Sequence, residues 1–376
     1  MAKIIIAGDF CPRERVQEHI EAQNFENIFG DIKRYTSEAD YSIVNLEAPI
    51  VNGIANPISK CGPSLKAIPA TTDALKHAGF NMATLANNHF YDYGDSGVSD
   101  TINACVKAGI DSVGGGSNIT EASKTFYKEI KGEVYAFINC CEHEFSIATD
   151  TQGGSNPINP IMQFYAIKAA KEKAKWVILI VHGGHEHYNL PSPRMKETYR
   201  FFIDAGADAV INHHQHCYSG YEVYNSKPIF YGLGNFCFDR MQRRNSKWNT
   251  GYMVELELKG KEISFRTIPY RQADKEPGVI VMKEQCDIDA FENDIKDLNA
   301  IISNDMLLKQ KHENFMEKTK KYFLSMVEPY SNRYMRALYI RGFLPSKMSK
   351  QRQAMLLDHI MCEAHLERFI YALKNK

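Results

Sequence analysis

Short apolar runs alternate with longer stretches of helical pattern up to about residue 270. The runs include KIIIAGD, YSIVNLE, NMATLANN, EVYAFINC, WVILIVHGG, DAVINHH and KPIFYGLGN, and between them lie TTDALKHAGF, GVSDTINACVKAG and PSPRMKETYRFFIDAGA. A strand that is apolar on both faces must be covered on both, so the alternation predicts buried sheets layered with helices, an α/β fold. In PSPRMKETYRFFIDAGA, Ser192 is placed to cap the helix, Pro193 fits its first turn and Gly206 its end. YMVELELK alternates polar and apolar, and reads as a half-exposed strand in an antiparallel hairpin with EISFRTIPY.

Beyond about residue 275 glycine becomes scarce and Lys, Glu, Asp, Leu and Met take over. Apolar residues such as Met355, Ile360, Cys362 and Leu366 recur there at helical spacing. The expected division is an α/β domain over 1–272 and a helical region over 273–376, whose apolar faces offer a route to an oligomer. Lys+Arg and Asp+Glu both number 45, so no net field favours nucleic acid or an anionic surface. No run approaches the roughly 18 apolar residues of a membrane span. MAKIIIAGDF passes straight from a short apolar run into Gly8 and Asp9, which suits a first strand rather than a signal peptide. The nine cysteines lack the spacing of a disulfide framework, which points to reduced thiols and a cytoplasmic protein.

Polar residues are concentrated where the apolar runs stop. Asp9 follows IIIAG, Glu47 follows YSIVNL, Asn88 and His89 follow MATLAN, His182 follows VILIV, and His214 and His216 follow DAVINH. In α/β folds the crevice beyond the carboxyl ends of the strands is where sites are built, so these residues are expected to converge. Each alone has a plain structural reading as a turn or a solvated strand end; together they do not. Extended backbone would put His214 and His216 on one face and His213 on the other, leaving His213 as a packing or supporting residue. Carboxylates, an amide oxygen and imidazoles form a mixed oxygen and nitrogen set suited to Mn²⁺, Fe²⁺ or Zn²⁺. The donors outnumber a tetrahedral site, which favours two ions about 3.5–4 Å apart that activate water and clamp a phosphoryl or carbonyl oxygen. Hydrolysis is the natural output of such a pair.

The order Asp, acidic residue, Asn-His, His, His-x-His resembles the calcineurin-like metallophosphoesterase superfamily. The wording of AGDF, NLEAPI, AGFNMATLANNHFYDYG, HGGHEHYNLPS and FIDAGADAVINHHQHCYSGYEVYNSKPIFYGLGNFCFD is similar to its capsule-synthesis branch, the CapA or PGA_cap family of poly-γ-glutamate biosynthesis. The resemblance runs over about residues 4–240. It implies a metallophosphoesterase-like β-sandwich flanked by helices, four layers in the order α/β/β/α, with the helical region appended. It also implies Asp9, Glu47, Asn88, His182, His214 and His216 as metal ligands, Glu47 bridging. His89 would be the general acid, with Asp92 orienting it.

Glu186 matches an acidic position of the branch. His185, His213 and Asn235 stand near these motifs as supporting residues. Arg243, in the basic stretch FDRMQRRNSKW, is a candidate contact for a substrate phosphate or carboxylate. Cys11 stands where the wider superfamily has a histidine ligand, which leaves a one-ion and a two-ion site both open. The functional expectation is a metal-dependent hydrolase of surface-polymer biosynthesis acting on a small-molecule or polymer substrate. The alternative is a non-hydrolytic accessory protein that binds the polymer or its synthase.

Overall fold

The computed structural model describes residues 1–330 and 332–374. The strands run β1 (Ala2–Cys11), β2 (Tyr41–Leu46), β3 (Met82–Thr84), β4 (Asp111–Val113), β5 (Gly115–Gly116), β6 (Phe126–Ile130), β7 (Glu133–Cys141) and β8 (Gly154–Ser155). They continue as β9 (Trp176–His182), β10 (Ala209–His213), β11 (Tyr221–Tyr224), β12 (Lys227–Phe230), β13 (Asn235–Phe238), β14 (Thr250–Lys259), β15 (Glu262–Gln272) and β16 (Val279–Val281).

Two large sheets result. The first has the order β16-β15-β14-β1-β2-β3-β4, with β13 joining the end of β1; the second has the order β11-β12-β10-β9-β7-β6. Within them β1 to β4, and β7, β9, β10 and β12, are parallel. The two-residue period of a strand sorts β1 between two cores: Ile4 and Ile6 belong to the inner one, Ile5 and Ala7 to the one under the helices. The inner faces meet at Tyr41 and Phe137, ring centroids 5.5 Å apart, and at Phe230 and Phe265, 5.0 Å apart. Val16, Ile20, Phe29 and Leu75 of the helices cover the first sheet from outside. The helices Pro160–Lys173 and Pro193–Ala205 cover the second. The layers are therefore α/β/β/α.

Pro193–Ala205 starts and stops where the sequence indicates. Ser192 accepts from the Met195 amide at 3.1 Å, Pro193 opens the first turn, and Gly206 takes φ 124°. The β14–β15 hairpin forms, but β14 is not half-exposed. Lying between β1 and β15, it is buried over most of its length, and its Glu255, 2% exposed, is paired with Arg266 at 2.8 Å.

The first compact unit covers Met1–Lys309 and the second Gln310–Lys376. The expected division at 272/273 falls inside the first unit, because β16 pairs with β15 and the helix Gln285–Ser303 packs against β11 of the second sheet. That helix buries Phe291, Ile295, Leu298 and Ile302 at helical spacing, with Phe291 centred 5.6 Å from Tyr252. The second unit holds the helices Arg333–Ile340, Lys350–Met361 and Glu363–Lys374. No described helix is long and apolar enough to cross a membrane.

Candidate metal centre

The parallel strands of both sheets end at one place. Gly8 lets β1 pass close to the β13 side, and the Asp9 amide donates to Gly234 O at 3.2 Å. Asp9 is thereby fixed beside Asn235, its partner in the β1–β13 register. Its Oδ1 accepts from Asn45 Nδ2 at 2.7 Å and its Oδ2 from the His214 amide at 3.1 Å. Asn45 Nδ2 also lies 3.2 Å from His182 Nδ1, so one amide spans the gap between the sheets.

Around His182 Nε2 stand His214 Nδ1 at 3.0 Å, Asn88 Oδ1 at 3.1 Å and Glu47 Oε1 at 3.8 Å. His216 Nε2 is 3.6 Å from Glu47 Oε1, while its Nδ1 meets Asn235 Oδ1 at 2.9 Å and lies 3.9 Å from Asp9 Oδ2. Two groups of donors thus gather within reach of one ion each, Glu47 with His182 and His214, and Asp9 with Glu47 and His216. Glu47 belongs to both.

Charge inside this cluster is uncompensated. Burial pushes Asp9 up to about 6, against the lowering effect of its Asn45 hydrogen bond. Burial, then the Asp9 charge, push Glu47 well above the usual carboxylate range. His182 and His216 are held well below the ordinary imidazole value, first by burial and then by His214. Both Glu47 oxygens are buried with no hydrogen-bond partner among the described residues. Neutral imidazoles with lone pairs to give, beside carboxylates that lack counter-charge, fit a divalent cation.

His213 departs from the placement expected of it. Strand alternation ends at His213, because His214 (φ 92°) and His216 (φ 55°) take left-handed backbone. His213 does not turn away from the cluster: its Nδ1 lies 3.5 Å from Asp9 Oδ1, and burial pushes it down to about 3.

Next to Asn88, His89 Nδ1 is 2.7 Å from Asp92 Oδ2, and burial lowers His89 more than Asp92 raises it. Asp92 also accepts from the Leu65 amide at 2.7 Å and is ion-paired with Lys60, which is 4% exposed. Cys11 is buried in the core under the helices, and burial and Glu47 raise its thiol well above the ordinary value. It is in neither donor group. Nor are His185, whose ring centroid is 6.4 Å from that of Tyr188, or the exposed Glu186, whose Oε2 is 4.0 Å from His187 Nε2. Arg243 lies near the mouth, its Nη2 3.0 Å from His187 Nε2. Asn45 and Lys60 were not singled out in the sequence, and Trp248 was noted only as the aromatic neighbour of the basic stretch. Asn45 could have been found, since it sits two residues before Glu47 on the same strand.

The layers and donor set define an α/β/β/α sandwich with a candidate metal centre at its strand ends. Within that class, the chain belongs to the bacterial capsule synthesis protein PGA_cap family, whose sequence profile matches residues 3–240. It is 34% identical over 243 residues to the capsule biosynthesis protein CapA of Bacillus anthracis, covering 62% of this chain and 59% of that protein. To the PGA biosynthesis protein CapA of Bacillus subtilis (strain 168) it is 31% identical over 237 residues, covering 62% of each. The chain thus spans only part of these relatives. Among solved structures, a phosphatase from Mycoplasma pneumoniae matches 73% of this chain and 95% of its own with TM-score 0.48 and 15% identity.

Proposed function

We propose that this protein is a metal-dependent hydrolase of phosphoester type that serves capsule or other surface-polymer biosynthesis. The carrying observation is Glu47, whose two buried oxygens lack partners and which is common to both donor groups. Two divalent ions, Mn²⁺, Fe²⁺ or Zn²⁺, suit the set, with Asp9, Asn88, His182, His214 and His216 as the other ligands. Such ions supply Lewis-acid charge stabilisation and an activated water.

The chain's own part is to hold that chemistry dry and to move a proton. Asp92 Oδ2 engages His89 Nδ1, so in the protonated ring Nε2 carries the proton that passes to the leaving oxygen, and the ring is left neutral. Asn45 keeps Asp9 in place, and Asn235 does the same for His216. The substrate carries phosphate or carboxylate. The nine cysteines are free thiols, which fits the reducing cytoplasm as the place of action.

A second reading is favoured by Cys11, which sits in the core instead of supplying a ligand nitrogen: an accessory protein that binds the polymer or its synthase without hydrolysis. Elemental analysis of purified protein with and without added Mn²⁺, followed by phosphomonoester, phosphodiester and γ-glutamyl substrates, separates the two. Bound metal and turnover that both disappear in Asn88→Ala and His214→Ala are expected. Metal-replete protein inert on every substrate would leave the accessory reading.

A further inference from the structure

The arginines around FDRMQRRNSKW fall into two kinds. Asp239, fully buried, accepts from Arg15 Nε at 2.8 Å and from Arg244 Nη2 at 3.0 Å, which ties the loop to the first helix. Arg240 and Arg243 have no such role. Among the described residues neither has a carboxylate within salt-bridge distance, and both guanidinium carbons lie over the Trp248 ring, at 5.9 and 6.0 Å from its centroid. Glu186 approaches His187 but is 51% exposed and reaches neither guanidinium.

Trp248 is a fixed platform, 4% exposed, its indole N–H donating to Phe238 O at 2.7 Å. Its ring also packs on His216, 4.7 Å between centroids, and on His187, 5.8 Å. One indole therefore links a ligand histidine of the buried cluster to two guanidiniums that lack counter-charge. The ring face attracts each guanidinium, the two cations repel one another, and an oxyanion, to which guanidinium forks are matched, relieves that repulsion when it lies between or beside them.

The geometry points to Arg240, Arg243 and Trp248 as a subsite for a second anionic group of the substrate, a phosphate or a carboxylate next to the one that reacts. This inference rests on the buried cluster being the reaction centre. It assigns the substrate to oligomeric or polymeric anions rather than isolated monoesters.

The test is binding to the full chain as purified, repeated after chelation so that the arginines are read without metal. The chain has two tryptophans, so Trp176→Phe leaves Trp248 as the sole tryptophan, read by selective excitation, and calorimetry on the unaltered chain gives the affinity without a reporter. The probes are tripolyphosphate and a hexaglutamate peptide. Saturable quenching is expected, with affinity falling about tenfold or more in Arg240→Ala/Arg243→Ala and by less in Arg240→Lys/Arg243→Lys, which keeps the charge but loses the fork.

Tighter binding of tripolyphosphate assigns the subsite to phosphate and tighter binding of hexaglutamate to carboxylate; either supports it. Unchanged affinity in the double alanine variant, or no binding of either probe, overturns it. A chain that turns over phosphoesters while the double variant keeps its KM on oligomeric anions loses only this inference. A chain that binds the probes through these arginines but hydrolyses nothing keeps the anion site and loses the hydrolase reading, and with it the assignment of that site to a group beside the reacting one.

Discussion

A methyl group on Gly8 would lie 2.0 Å from Gly234 O and 3.2 Å from the Phe236 amide nitrogen, both backbone atoms that cannot swing aside. Gly8→Ala is therefore expected to cost about 2 kcal/mol or more, the usual penalty of overpacking, and to displace Asp9 enough to lower the metal content measured by elemental analysis. Retention of both stability and metal would mean that the β1–β13 approach is loose. His89 makes a second residue-level test, because its proposed part is proton transfer, it is hydrogen-bonded to Asp92 and it is in neither donor group. His89→Gln is expected to lower kcat about a hundredfold or more with metal content unchanged; loss of the metal would make His89 a ligand. Most of this neighbourhood was legible in the sequence, since Asp9, Glu47, Asn88, His182 and His214 interrupt apolar runs where a buried strand has no use for polarity. Lys60 was not, nor was the approach of Trp248 to His216. Both residues come from irregular segments without periodicity, and only the folded chain brings Lys60 to Asp92 and Trp248 to His216.

At the scale of elements, the signals that succeeded were local and mutually consistent. Ser192, Pro193 and Gly206 bracket one helix, and the Ser192 hydroxyl satisfies the Met195 amide. Ser192→Ala is expected to cost about 1 kcal/mol, seen as a shift in the denaturant midpoint at unchanged slope. No shift would mean that Pro193 and packing set the helix start without the cap. The reading of β14 failed for a non-local reason: alternation records which residues are polar, not which neighbours will cover them. Glu255 looks like a solvent-facing residue in YMVELELK, yet it is buried beside β15, with Arg266 donating from Nε and Nη2 at 2.8 and 2.9 Å. Arg266→Met should therefore destabilise more than a typical surface substitution, by about 2 kcal/mol, because it leaves a buried carboxylate with only Lys3 Nζ, 3.8 Å away, as its cation. The double variant Arg266→Met/Glu255→Met should recover most of that loss in thermal denaturation. A single variant as stable as the parent chain would show Glu255 to be adequately solvated without Arg266.

Across the whole molecule, the donors are divided between the two sheets. Asp9 lies in β1 and Glu47 and Asn88 follow strands of the first, and His182, His214 and His216 end or follow strands of the second. An ion bound by both sets ties the sheets together at one edge, while the Tyr41–Phe137 and Phe230–Phe265 contacts hold them through the inner core. Without an ion that edge carries the cost of two buried carboxylates, the cost that pushes Asp9 and Glu47 upward. Binding stabilises the fold by about 4 kcal/mol when free metal exceeds its Kd a thousandfold, so Mn²⁺ or Zn²⁺ added to chelated protein should raise Tm by several degrees. Glu47→Gln separates the two contributions. Without metal this variant lacks one of the two uncompensated carboxylates and should melt no lower than the parent chain, whereas its rise in Tm on adding metal should largely vanish because the residue common to both donor groups has lost its charge. Differential scanning calorimetry of both chains at neutral pH, with and without metal, measures all four values. A variant that melts lower without metal yet keeps the full metal-induced rise would make Glu47 a structural residue and remove the bridge between the two groups.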